Sequence, residues 1–219
     1  MESFLNRQGG VVVTAVIRTI QDQAASLSEI DGAIGDGDHG INMSKGFTMA
    51  AESLAGKSFD MSEGLSEIGR VLIGEIGGAM GPLYGTFFRE MARASKGHES
   101  IDAPLFASML EKAAGGVLAL GNAHVGDKTL VDTLSPALDA FRAGMKAGRT
   151  FAQALSAMAA AAEKGKESTR DLVAKVGRSS RLGERSRGVL DAGAVSCWLI
   201  LKSMADSMRG LLEEGSAPL

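Results

Sequence analysis

The chain has 219 residues, a formal net charge of −3, 45% hydrophobic and 22% charged residues, and only 5% aromatics. That length fits one domain or two small ones around a substantial core, and the charge argues against a general nucleic-acid binder. Scarce aromatics beside plentiful Ala, Leu, Met and Gly favour helix packing over a β-sandwich.

The N-terminal segment MESFLNRQGGVVVTAVIRTI starts acidic, carries Arg18 inside its apolar part and lacks a small-residue cleavage site, so it does not read as a signal peptide. Val12, Val13, Val16, Ile17, Ile20, Ala24 and Leu27 recur at helical spacing and predict a first helix ending near Glu29. A second carries Ile41, Met43, Phe47, Ala50, Ala51 and Leu54 and stops at Gly56; a third opens at Asp60 and Met61 and runs to Ile76. The fourth begins after Pro82 with Leu83, Phe87, Phe88 and Met91, and the fifth has Pro104 at its start. A sixth spans about 128–146 and holds Pro136, which kinks it or lies in its first turns. A seventh follows Thr150, and the last carries Ala194 to Met208, with Cys197 as a buried structural thiol. One cysteine excludes an intramolecular disulfide and suits a reducing compartment. No apolar stretch is expected to reach the ~18–20 residues that cross a bilayer. The expectation is an all-α, cytoplasmic protein of about eight helices with no strand and no membrane association.

The unusual residues lie in four connections: GDGDHG, GGAMGPLYG, GNAHVGDKT and GRSSRLGERSRGVLDAG. They follow helices one, three, five and seven, and in an antiparallel helical bundle alternate connections share one end. The first is the most informative. Asp31, Asp36 and Asp38 are separated by glycines at 32, 35 and 37, which let the backbone turn sharply. Converging carboxylates need a cation between them, and hard divalent ions take such oxygen ligands, Mg²⁺ often sharing its shell with phosphates. An EF-hand fails because its sixth and twelfth positions from Asp36 would be Ile41 and Phe47. The literal GxGxxG match at residues 35–40 lacks a preceding β-branched run and carries two acids, unlike a dinucleotide turn. Asp38 as a helix cap explains one Asp and not three. GGAMGPLYG suits anion binding at a helix start or, equally, close helix crossing. It is no Walker A, and none occurs elsewhere. In GDKT, Asp127 is the expected cap of the next helix, with Lys128 beside it. Of Arg178, Arg181, Arg185 and Arg187, one is expected to meet phosphate and three to stay in solvent.

Four segments, IGDGDHGINMSKGF, GGAMGPLYGTFF, GDKTLVDTLSPAL and STRDLVAKVGRSSRLGERSRGVLDAGA, together resemble the nucleotide-binding L subunit of dihydroxyacetone kinases. The resemblance spans essentially the whole chain, residues 1–219 as one L domain. It implies an eight-helix antiparallel up-and-down barrel with the nucleotide capping one end. It further implies that Asp31, Asp36 and Asp38 hold two Mg²⁺ ions bridging the phosphates of ATP or ADP, and that these acids and Arg178 carry the chemistry. His39, Gly40, Ile41 and Asn42 would line the nucleotide, joined by Ala79 and Met80. Gly121 and Leu130 would flank the adenine, and Arg178, Asp191, Ala192 and Gly193 would complete the pocket. Two residues depart from the family pattern: Met80 stands where Ser is frequent, and Ala192 where Pro is frequent. The family divides its reaction, so a separate K subunit would hold dihydroxyacetone. The phosphate would come from ATP, or from a phosphotransferase-system M subunit through bound ADP. A related four-carbon ketose kinase, a non-catalytic nucleotide-binding regulator and a homodimer are compatible with the same resemblance.

Overall fold

A computed structural model describes residues 2–215. Among the described residues nine α-helices follow one another: α1 (Gly10–Asp22), α2 (Ala24–Ile34), α3 (His39–Leu54), α4 (Met61–Glu75), α5 (Met80–Ser95), α6 (Ala103–Gly121), α7 (Val131–Lys146), α8 (Phe151–Ser168) and α9 (Ala192–Gly215). The predicted first helix is α1 and α2 together, interrupted only at Gln23 (φ −97°, ψ 6°). Neighbouring helices pack side by side, and α9 closes the ring against α1 and α8. The all-α class expected from periodicity and the barrel implied by the resemblance are the observed fold, the predicted first helix being divided into two.

Its interior is filled by side chains from every wall. Phe106 and Phe141 meet edge to face at 5.2 Å, as do Phe47 and Phe88 at 5.7 Å, all four fully buried. Capping sets the helix starts. Asp60 accepts from the Glu63 N–H while Glu63 returns a bond to the Asp60 N–H, and Thr150 and Gln153 repeat the arrangement at α8. Asp102 caps α6 through the Leu105 N–H, with Pro104 in the first turn where no N–H is needed.

Several expectations are corrected. The first helical stretch does not stop near Glu29 but runs to Ile34, because Leu27, Ile30 and Ile34 continue its apolar stripe and outweigh Gly32. The fourth predicted helix starts at Met80, before Pro82, whose ring sits harmlessly in the first turn. Pro136 is inside α7, and its missing N–H leaves the Asp132 carbonyl without its usual helical donor. Gly165 of α8 approaches that carbonyl so closely that a Cβ there would overlap its oxygen. The described residues include two strands, β1 (Ser3–Leu5) and β2 (Ser100–Asp102), paired antiparallel with Phe4 opposite Ile101. Three residues each are too short for an alternation to register in the sequence. Among the described residues one helix, α6, is long and apolar enough to cross a membrane by length and composition. It buries Phe106, Met109, Leu110, Ala113 and Val117 in the barrel and carries Glu111 and Lys112 midway.

The connections at residues 55–60, 96–102 and 147–150 lie at one end of the barrel. Those at 35–38, 76–79, 122–130 and 169–191 lie at the other, where they and the starts of α3, α5, α7 and α9 surround one cavity.

Candidate functional site

The acidic turn is built by α2 and α3. Asp31 stands in the last turn of α2, and Gly35 ends that helix, its N–H bonded to the Asp31 carbonyl. A Cβ at Gly35 would press on the Asp31 carboxylate at 2.5 Å, so glycine gives that carboxylate its room. Gly37 takes φ +76°, which brings the chain round to α3. Asp38 occupies the N-cap position of α3, yet its carboxylate accepts no bond from the helix. Asp31 reaches over instead, its Oδ2 lying 3.4 Å from the His39 N–H. Capping therefore does not consume Asp38. Oxygens of Asp31, Asp36 and Asp38 lie within 4.8 Å of one another. Such an all-carboxylate set fits a hard divalent cation such as Mg²⁺. The Arg178 guanidinium already leans into these acids, paired with Asp36 and 3.9 Å from Asp38.

Glycines of the second loop divide by position between the two readings. A Cβ at Gly77 or Gly78 would meet nothing within 4 Å, and both line the cavity. A Cβ at Gly81 would overlap the Ile76 carbonyl, and one at Gly85 would crowd Ile73 and the Gly69 carbonyl, so these two serve the crossing of α4 and α5. Ala79 and Met80 open α5 without a side-chain cap, which leaves its first N–H groups to whatever fills the cavity. Because alternate helices point the same way, α3, α5, α7 and α9 all begin here. Their positive ends surround the acids, an electrostatic setting for an anion bound with its cation.

In the third loop the capping role differs from expectation. Asp132, not Asp127, ties the start of α7, accepting from Gly126 N–H at 2.5 Å and Thr129 N–H at 2.7 Å. It is the second residue of the helix and reaches back. Asp127 organises its own turn through the His124 N–H and pairs with Lys175 at 3.2 Å. Lys128 is buried with φ +63°, and its ammonium donates to the carbonyls of Thr169 and Val189 at 2.5 Å each. Those carbonyls flank the arginine loop, so Lys128 staples both of its ends to the start of α7. Burial lowers the Lys128 pKa, against the attraction of Asp191. Of the four arginines, Arg178 alone lines the cavity; Arg187 binds the Asp171 carbonyl and Glu184, and Arg181 and Arg185 are exposed.

Beneath the acids, His39 Nε2 lies 2.9 Å from Ser196 Oγ, which is 2.6 Å from the Tyr84 hydroxyl, which in turn donates to the Gly193 carbonyl at 2.8 Å. Burial holds the His39 pKa down at about 4, opposed by the Asp31 charge. Asp191 caps α9 through the Ala194 N–H at 2.7 Å. Burial pushes its carboxyl up to about 7, against that bond and Lys128 and with help from Asp132 and Asp31.

The cavity encloses about 480 Å³. It is lined by Asp31, Asp36, Asp38, His39, Asn42, Ala79, Met80, Leu130, Arg178, Asp191, Ala192 and Gly193, all of them residues that the resemblance assigned to the nucleotide or its cations. Three expected residues fall outside the lining. Gly40 is buried where α3 crosses α2, and a Cβ on it would overlap the Ala24 carbonyl. Ile41 is 65% exposed and turns to solvent. Gly121 ends α6 behind Leu83, which is itself a lining residue. Ile34, Leu83, Tyr84, Thr129, Val176 and Ser179 line the cavity unanticipated. Tyr84 had a signal, being the chain's one tyrosine and sitting inside the glycine-rich segment.

Fold and site together define an α-helical barrel with a cavity at one end where three carboxylates converge. The chain belongs to the DAK2 domain family, whose model matches residues 33–206. It is 37% identical over 180 residues to the PEP-dependent dihydroxyacetone kinase, ADP-binding subunit DhaL, of Escherichia coli (strain K12), covering 82% of this chain and 86% of the relative. It is 31% identical over 198 residues to the D-erythrulose kinase of Mycolicibacterium smegmatis, covering 88% of this chain and 34% of that one. The crystal structure of the dihydroxyacetone kinase from C. freundii in complex with AMP-PNP and Mg²⁺ superposes with a TM-score of 0.65 at 25% identity, over 90% of this chain and 33% of that one. The chain thus spans about a third of the latter two proteins and most of the first.

Proposed function

We propose that this chain, residues 1–219 as one L domain, is the nucleotide-binding, phosphoryl-donating subunit of a dihydroxyacetone kinase. The observation that carries this is the convergence of Asp31, Asp36 and Asp38 between four helix N-termini, with Asp38 left free of capping. In this reading the three carboxylates hold two Mg²⁺ ions, which neutralise charge on the phosphate oxygens of ATP or ADP. The start of α5 at Ala79 and Met80 gives N–H groups to phosphate, so the absence of a hydroxyl at residue 80 is offset by backbone. Arg178 swings from the acids to the nucleotide, where a guanidinium stabilises charge spread during transfer. His39, Asn42, Leu130, Asp191, Ala192 and Gly193 line the nucleotide.

Phosphoryl transfer needs alignment and charge neutralisation more than covalent work by the protein. In this reading a separate K subunit holds the dihydroxyacetone, as the division of the reaction in the resembled family implies. The PEP-dependent relative favours a donor route through bound ADP and a phosphotransferase-system M subunit, in a cytoplasmic complex. The likeness to an erythrulose kinase favours, as a second reading, a four-carbon ketose on the partner.

Calorimetric titration of the purified chain with ADP tests the core of this. Binding is expected with Mg²⁺ and not with EDTA, and ADP retained through purification, seen by mass spectrometry, marks the coenzyme route. Absence of Mg²⁺-dependent ADP binding overturns the reading.

A further inference from the structure

The buried chain of polar groups under the acidic turn has a direction, and the direction follows from the one group in it that can only accept. We propose that Ser196 and Tyr84 are positioning residues for His39, holding its ring as the Nε2–H tautomer and presenting Nδ1 to the cavity as a hydrogen-bond acceptor. The three side chains come from α9, α5 and α3, and are 0%, 3% and 7% exposed, so solvent does not complete their bonding.

The Gly193 carbonyl lies 2.8 Å from the Tyr84 hydroxyl and 3.1 Å from Ser196 Oγ. A carbonyl oxygen carries no hydrogen, so one of the two hydroxyls spends its only hydrogen there. When Tyr84 donates to it, the 2.6 Å contact between Tyr84 and Ser196 is bridged by the serine hydrogen. When Ser196 donates to it, that same contact is bridged by the tyrosine hydrogen. Either way Ser196 has no hydrogen left for His39, and the 2.9 Å contact to Nε2 requires the hydrogen to sit on the ring. The reverse order, with Ser196 donating to Nε2, leaves the tyrosine hydrogen to serve two contacts. When it goes to the Gly193 carbonyl, the 2.6 Å Tyr84–Ser196 contact sets oxygen lone pairs face to face. When it goes to Ser196, the carbonyl meets both hydroxyls with no hydrogen between them, so one buried contact is uncompensated either way.

With Nε2 carrying the hydrogen, Nδ1 of the neutral ring has a lone pair and no hydrogen. It then pairs with donors, such as water held on a cation or an amino group, and not with phosphate oxygens. Fixing a ring through its second nitrogen is how outer-shell partners tune a site they never touch. This consequence rests on the metal-nucleotide reading of the cavity; the tautomer does not.

The test uses the full chain labelled with ¹⁵N-histidine. Long-range proton–nitrogen correlation without ligand is expected to show His39, assigned by its loss in His39→Gln, as the Nε2–H tautomer, and as a mixture in Ser196→Ala. An Nδ1–H pattern in the unsubstituted chain overturns the proposal. Mg-ADP titration supplies the second arm: Ser196→Ala and Tyr84→Phe are expected to weaken binding ~10-fold, in the range typical of outer-shell partners. Ser196→Ala in a His39→Gln background is expected to add nothing. Equal losses with and without His39 show a plain cross-link between helices and overturn the positioning role. A chain that binds no Mg-ADP at all removes the functional reading alone, because the tautomer is measured without it.

Discussion

At the residue scale, the division of labour between Asp31 and Asp38 decides what the acidic turn can do. A carboxylate at an N-cap is normally held by the helix it starts. Here Asp31 takes the first N–H of α3 from outside, weakly at 3.4 Å, and Asp38 is left to face Asp36 and Arg178. Because Asp36 sits at the exposed tip of the turn, its role is separable from folding. Asp36→Asn is expected to lower Mg-ADP affinity by more than about 100-fold, beyond the range for outer-shell partners. Unfolding free energy is expected to change by less than about 1 kcal/mol, since an exposed ion pair with Arg178 is lost while crowding of three acids is relieved. Calorimetry and urea unfolding on the same preparation check both halves.

At the element scale, glycines that look alike in sequence do different work, and the difference is measurable. Gly40→Ala puts a Cβ into the Ala24 carbonyl and within 2.7 Å of the Ser28 backbone nitrogen, so α3 must shift off α2. Overpacking of this kind costs ~1–3 kcal/mol, and the start of α3 moves with it. A lower urea midpoint and weaker ADP binding are expected together. Gly77→Ala meets nothing, so its stability is expected to stay within about 0.5 kcal/mol, as for ordinary surface substitutions. Both halves are read from urea unfolding curves. Only geometry separates the two positions, which explains how far the sequence could be read. Helical period located the barrel walls, and counting them placed the four loops at one end. The break at Gln23 lacked a proline or glycine to announce it, and the extension of α2 past Gly32 hid behind a residue that usually signals a turn. Asp127 and Asp132 were both within reach of the start of α7, and nothing local shows that the later one folds back. Ser196, Tyr84 and His39 lie on three different helices, and their meeting follows only from ring closure.

At the scale of the whole molecule, the up-and-down topology points four helix N-termini at one cavity and buries titratable groups beneath them. His39 and Asp191 are perturbed in opposite senses, so their effects on stability oppose each other. The folded-state pKa of His39 is lowered from 6.5 to about 4, so between those values the unfolded chain binds the extra proton. That contribution makes stability rise as pH rises through the window. Asp191 is raised from 3.8 to about 7, so between those values the folded chain binds the extra proton, and stability falls as pH rises. From pH 5 to 6.5 the two slopes counter one another, and the ligand-free chain is expected to show a nearly flat melting temperature. Groups with depressed carboxyl pKa, such as Glu67 held down to about 2 by Arg70, withdraw their support only at more acid pH. Asp191→Asn removes the falling component, and its melting temperature is expected to climb from pH 5 to 6.5 where that of the parent does not. His39→Gln removes the rising component and is expected to decline toward pH 7. Thermal melts of the three proteins across that range, without nucleotide or metal, check the signs. Parallel profiles for all three would show that the two buried groups do not titrate as their surroundings dictate.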